Sequence, residues 1–214
     1  MPNLKDLKNR IESVKNTRKI TKAMQMVAAA KLRRAQDAAE ASRPYSERFN
    51  SVLASLAASV GSSESSPILL RGTGKQDVHL LIVMTAERGL CGGFNSNIAK
   101  LARSHAAKLK EDGRQVKVIT VGKKGRDALK RDLGEYFVDH VDLSEFKSIK
   151  YVNAQTIAKA LLVRFDDNEY DVATIFYSKF VNVVSQIPTA KQIIPAIFED
   201  QSSASGKAIY DYEP

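Results

Sequence analysis

The sequence has few of the residues that build disulfides and metal sites. It contains one cysteine, Cys91, and three scattered histidines among 214 residues. A single cysteine excludes an intramolecular disulfide framework, and no metal-ligand cluster can be assembled from these four residues. The sequence therefore predicts a protein of a reducing compartment, with no bound metal and no cofactor.

Long hydrophobic runs are also missing. No apolar run reaches the roughly 18 residues that a membrane-spanning helix needs. The first residues, MPNLKDLKNR, lack the apolar core of a signal peptide. We therefore expect a soluble chain that is not exported.

Acidic residues are absent from positions 15–36, a segment that is rich in positive charge. Residues 1–36 contain ten Lys or Arg residues and two acidic residues, and so carry +8 of the chain's formal net charge of +9. Charge concentrated in this way predicts an acidic partner, which is a nucleic acid, an anionic membrane or an acidic protein surface. The segment has no aromatic residue for base stacking, which disfavours the nucleic-acid alternative.

A long helix is predicted over residues 1–58. Asn3 is a favourable N-cap, and no glycine precedes Gly61, so helix propensity stays high. Apolar residues recur at spacings of three and four, as in a coiled-coil seam, at Leu4, Leu7, Ile11 and Val14. Pro44 predicts a kink near that position, or a restart of the helix with Ser42 as a new cap.

The rest of the chain predicts a linker and an α/β domain. Residues 59–76 are rich in Gly and Ser, which is typical of a linker. In the Rossmann-like domain predicted over 77–214, a strand, a helix and a strand form a βαβ unit with parallel pairing, at 78–85, 95–111 and 116–121. Further helices are predicted near 124–131 and 154–165, and further strands at 136–141, 172–180, 181–186 and 192–198. The last strands are too close in sequence to be joined by helices, so we expect a mixed sheet.

A glycine-containing loop, RGLCGGFN at 88–95, follows the first strand of this domain. Its glycines match neither the G-x-G-x-x-G pattern nor a P-loop. The simpler interpretation is a tight turn with Asn95 as the helix cap, and the alternative is a nucleotide-binding enzyme. No carboxylate pair, nucleophile-base pair or metal site can be assembled with it, so the domain is interpreted as a non-catalytic scaffold.

Four stretches resemble the gamma subunit of the rotary ATP synthases: KITKAMQMVAAAKLRRAQ at 19–36, SRPY at 42–45, RGLCGGFN at 88–95 and YDYEP at 210–214. The resemblance implies a non-catalytic rotor shaft inside a ring of alternating alpha and beta subunits, with the Rossmann-like domain at its base. It also implies contact with an epsilon subunit and the membrane c-ring, and no contact with nucleic acid. The implied location is peripheral, on the cytoplasmic side of the bacterial inner membrane.

The resemblance also assigns two sets of interaction residues. Those expected to face the catalytic ring are Lys19, Lys22, Met24, Lys31, Arg33 and Arg34. Those expected to face the epsilon subunit and the membrane ring are Tyr210, Tyr212 and Glu213. The family continues past the position of Pro214 into a long helix that pairs antiparallel with the first one. Without that helix, the apolar seam of the first helix is expected to be exposed.

Overall fold

The structure is a computed structural model that describes residues 3–60, 66–146 and 148–197, with the side chains of 58–60 excepted. The chain divides into two compact units, Met1–Leu56 and Ala57–Pro214. The first unit is helical, and the second contains a β-sheet with helices on both faces.

One helix, α1, runs from Leu4 to Val60. It begins where the sequence predicts, because the Oδ1 atom of Asn3 accepts a hydrogen bond from the backbone N–H of Lys5 at 3.3 Å. At 1.5 Å per residue, its 57 residues extend for about 85 Å. Most of its side chains are exposed, so packing within this chain does not account for so long a helix.

Pro44 lies inside α1 and does not end it. Proline has no N–H, so the carbonyl of Glu40 loses its usual helical partner at this point. The hydroxyl of Ser42 donates a hydrogen bond to the carbonyl of Ala39 at 3.0 Å, back into the preceding turn. Ser42 therefore does not cap a new helix, and the predicted restart is wrong. A kink near Pro44 stays a prediction.

The described residues of the second unit contain five strands and four further α-helices. The strands are β1 (Val78–Met84), β2 (Gln115–Val121), β3 (Phe137–Val141), β4 (Val172–Phe180) and β5 (Gln186–Ile194). The helices are α2 (Ile68–Arg71), α3 (Phe94–Glu111), α4 (Lys123–Leu133) and α5 (Tyr151–Asp166). A short 3-10 helix, Gly134–Tyr136, leads into β3.

The sheet has the strand order β3-β2-β1-β4-β5. The first four strands are parallel and β5 is antiparallel to β4, which confirms the predicted α/β class, the parallel βαβ unit and the mixed sheet. The prediction of two separate strands at 181–186 and 192–198 is wrong, because one strand, β5, spans Gln186–Ile194; position 198 lies outside the described residues. A turn joins β4 to a single strand, because the side chain of Asn182 accepts hydrogen bonds from the backbone N–H groups of Val184 and Ser185 at 2.9 and 2.7 Å.

Apolar side chains pack on both faces of the sheet. Successive side chains of β1 point to opposite faces of the sheet, and all of them except His79 are apolar, so both faces need an apolar cover. One face packs against α3 and α4, with a core that includes Leu81, Val83, Ile98, Ala102, Leu129 and Phe176. The other face packs against α5, with a core that includes Leu80, Ile82, Leu161, Phe165 and Tyr170.

Candidate interaction surfaces

The basic residues of α1 form an exposed positive surface. All ten Lys and Arg side chains between positions 3 and 36 are exposed. Within the part of the chain that the structure describes, none of these ten forms an ion pair, and seven of them lie in the acid-free segment 15–36. Their charge is therefore available to an acidic partner.

The predicted ring-facing residues do not share one side of α1. A helix turns about 100° per residue, which places Lys19, Lys22 and Arg33 within about 60° of one another. Met24 and Lys31 lie on the opposite side, and Arg34 lies between the two groups. The helix thus presents cations on more than one side, an arrangement suited to neighbours that surround it.

An apolar seam also runs along the start of α1. Its members, Leu4, Leu7, Ile11 and Val14, have exposed fractions between 44% and 73%. Spacings of three and four residues place them on one side of the helix. A contiguous exposed apolar stripe of this kind is typical of a surface that contacts another protein.

The carboxyl edge of the sheet, where doubly wound folds bind nucleotides, is held together by the chain's own side chains. The Oε2 atom of Glu87 accepts a hydrogen bond from the backbone N–H of Lys123 at 3.0 Å, and its Oε1 atom accepts one from Leu143 at 2.7 Å. Lys123 is the first residue of α4. The Glu87 carboxylate therefore lies at a helix N-terminus, where the helix dipole favours an anion. Sequence reasoning missed this residue.

The glycine-containing loop is built differently from the prediction. Helix α3 begins at Phe94 with Gly93 as its N-cap, so the prediction that Asn95 caps it is wrong. The side chain of Asn95 instead reaches back across the loop. Its Oδ1 atom accepts a hydrogen bond from the backbone N–H of Ala86 at 2.9 Å, and its Nδ2 atom donates one to the Sγ atom of Cys91 at 3.0 Å. At the loop's tip, Leu90 has a φ of 62° and is 94% exposed.

Two histidines lie on the α3 side of the sheet. The Nε2 atom of His79 is 3.1 Å from the carbonyl oxygen of Gln76, and the ring of His105 packs on Phe176 at 5.3 Å between centroids. Burial lowers the pKa of both imidazoles. The positive charges of His79 and Lys108 lower the pKa of His105 further. Both imidazoles therefore lose their protons at a lower pH than an exposed histidine does.

The described residues contain no group of three or more His, Cys, Asp and Glu residues able to hold a metal ion. They also contain no helix with the length and apolar character that crossing a membrane requires. The predicted base residues Tyr210, Tyr212 and Glu213 lie outside the described residues.

The fold and its surfaces define a subunit with a doubly wound α/β unit and a long, exposed basic helix. The family model described as ATP synthase matches residues 3–214. The ATP synthase gamma chain of Roseobacter denitrificans is 72% identical over 214 residues, which are 100% of this chain and 74% of that relative. The gamma chain of Dinoroseobacter shibae is 71% identical over the same length and is covered to 73%.

A solved structure has the same architecture. The central stalk and c-ring of the Tetrahymena thermophila mitochondrial ATP synthase contains a chain that matches with a TM-score of 0.61 and 27% identity. The match covers 82% of this chain and 72% of that one. The present chain therefore belongs to the ATP synthase gamma chain family, and its length is about three quarters of that of the two bacterial relatives.

Proposed function

We propose that this chain is the central rotor subunit of a proton-translocating ATP synthase and couples rotation in the membrane to catalysis on other subunits. The observation that carries this proposal is α1, a helix of 57 residues with an exposed apolar seam and ten exposed cations. A helix so exposed gains its stability from partners that surround it. The relatives named gamma chain and the central-stalk neighbour support this assignment.

The proposed partners lie at both ends of the rotor. Alpha and beta subunits surround α1 and meet Lys19, Lys22, Met24, Lys31, Arg33 and Arg34 through acidic loops. The epsilon subunit and the c-ring meet the base, where Tyr210, Tyr212 and Glu213 contact them. The chain itself is non-catalytic in this proposal. It is held at the cytoplasmic face of the bacterial inner membrane by these subunits.

Charge reversal on α1 tests the proposal. Arg33→Glu combined with Arg34→Glu, in the complete ATP synthase in membrane vesicles, should reduce the number of protons pumped per ATP hydrolysed, because the introduced carboxylates repel acidic loops. The matched control is Lys100→Glu combined with Lys130→Glu, which makes the same charge change on exposed residues of α3 and α4. Equal pumping ratios in the two double variants would contradict the assignment of α1 to the ring.

The base contact has a separate test. Two tyrosines two positions apart share a face of an extended segment, and aromatic side chains with polar tips suit an interface with an apolar centre and a wet rim. Tyr210→Ala combined with Tyr212→Ala should weaken binding of the epsilon subunit while the melting temperature of the chain changes little. A large fall in melting temperature with normal epsilon binding would assign both tyrosines to the chain's own core.

A further inference from the structure

The carboxylate of Glu87 joins three loops at the carboxyl edge of the sheet. Glu87 follows β1, and its two oxygens accept backbone hydrogen bonds from Lys123, after β2, and from Leu143, after β3. These two partners lie 36 and 56 positions away in the sequence. One half-buried side chain therefore fixes the relative positions of the loops that follow three neighbouring strands.

Two further side chains hold the same edge. The Oγ1 atom of Thr85 accepts a hydrogen bond from the backbone N–H of Gly125 at 2.7 Å, which ties the end of β1 to the first turn of α4. Asn95 binds the backbone N–H of Ala86 from the far side of the glycine-containing loop. The loop between Glu87 and Asn95 is thus anchored at both ends.

The geometry requires a carboxylate at position 87. Both of its oxygens face N–H donors, and an anion at the first turn of α4 also interacts favourably with the helix dipole. A glutamine has the same shape but only one acceptor oxygen, so its amide nitrogen would face one of the two N–H groups. The arrangement is therefore sensitive to charge and not only to side-chain size.

We propose that Glu87 is a positioning residue that stiffens the α/β unit by locking the loops after β1, β2 and β3 into one body. This proposal rests on the proposed rotor function. A subunit that transmits torque couples rotation to catalysis less efficiently if its own loops deform under load. Glu87 acts through the backbone of Lys123 and Leu143, and it touches no substrate.

Hydrogen exchange tests the lock directly in the 214-residue chain. Glu87→Gln should accelerate exchange of the backbone amide of Lys123 or of Leu143 by roughly tenfold, since a hydrogen bond to a charged group is lost. The matched control is Glu145→Gln, an exposed carboxylate two residues from Leu143, which should leave both amides unchanged. Unchanged exchange in Glu87→Gln would overturn the lock.

Coupling then tests the positioning role in the complete ATP synthase. Glu87→Gln should pump fewer protons per ATP hydrolysed than Glu145→Gln, with a melting temperature within a few degrees of the unsubstituted protein. Faster exchange with normal pumping would overturn the positioning role. The proposed rotor function would be unaffected by that result, because the Arg33→Glu and Arg34→Glu variant tests it separately. A variant that is unfolded at the assay temperature would also overturn it, since Glu87 would then be a purely structural residue.

Discussion

Gly122 shows how closely β1 and β2 approach at their carboxyl ends. It has a φ of 91°, and a Cβ atom at this position would collide with the backbone carbonyl of Thr85. Gly113 has a similar φ of 73°, but a Cβ atom there would meet nothing within 4 Å. A side chain at Gly113 would therefore cost only the strain of a left-handed backbone conformation. A side chain at Gly122 would cost that strain and a steric collision.

Alanine at these two positions should give different losses of stability. Gly113→Ala should lower the free energy of unfolding by about 1–2 kcal/mol, the cost of a left-handed residue with a side chain. Gly122→Ala should lower it by about 3 kcal/mol or more, because the colliding carbonyl belongs to Thr85, whose backbone N–H is held by the carbonyl of Val121. Urea unfolding of both variants measures the difference, and equal losses would show that the Thr85 contact relaxes easily.

The histidines at positions 79 and 105 predict a loss of stability in mild acid. Burial lowers their pKa values in the folded chain below the ordinary value of about 6.5. The unfolded chain then binds more protons, so the free energy of unfolding falls as the pH falls from about 6.5 through the folded pKa values. The nearby charges of Arg114 and Lys108 also lower these pKa values, while the carbonyl of Gln76 and the carboxylate of Asp171 raise the pKa of His79.

Removal of both imidazoles should flatten this pH profile. His79→Gln combined with His105→Gln keeps polar side chains of moderate size but removes both titrating groups. We expect its urea midpoint to change less than that of the unsubstituted chain between about pH 7 and pH 5, the range in which histidines titrate. Parallel pH profiles for the two proteins would contradict this assignment.

At the scale of elements, local patterns predict the fold better than they predict its connections. The apolar run of β1 and the apolar positions of α3 depend on neighbours in the sequence, and both elements were located to within one residue. The turn after β4 was missed because one asparagine, Asn182, interrupts a run of β-branched residues. The Glu87 contacts join residues 36 and 56 positions apart. Hydrophobic periodicity relates residues only a few positions apart, so it does not predict such contacts.

The ring contacts of α1 could be predicted only in part. The basic character of the helix is visible in the sequence, because charge requires no knowledge of packing. Which side of the helix meets which partner depends on other chains. Helical geometry places Met24 and Lys31 opposite Lys22 and Arg33, and the assignment of these residues to the ring stays a prediction.

Two exposed methionines, Met24 and Met26, lie on opposite sides of α1 and allow the two sides to be compared. Met24 is 52% exposed and Met26 is 61% exposed. Met24→Lys should add a charge-assisted hydrogen bond to an acidic loop of the ring and hold the rotor in one orientation, so coupling should fall while assembly persists. Met26→Lys makes the same change on the side that already carries Lys19, Lys22 and Arg33, and should have a smaller effect. Equal pumping ratios would show that Met24 has no special contact.

The uneven distribution of charge over the whole molecule determines which part of it is attracted to an acidic partner. Residues 1–36 carry +8 and the remaining residues are close to neutral, although the chain as a whole has a net charge of +9. Long-range attraction to an acidic ring should therefore act on α1 and orient it for entry. The α/β unit contributes little to this attraction, because the charges of residues 37–214 nearly cancel.

Salt should accordingly slow the association of this chain with an alpha-beta ring. The Debye length shrinks from about 10 Å at 0.1 M salt to about 3 Å at 1 M, which screens exposed charges such as those on α1. The association rate, measured by stopped-flow fluorescence, should fall over this range. Arg33→Glu combined with Arg34→Glu should give a slower rate and a shallower salt dependence, whereas Lys100→Glu combined with Lys130→Glu should retain the steep one. The same slope in both double variants would show that the net charge of the chain, and not its concentration on α1, directs assembly.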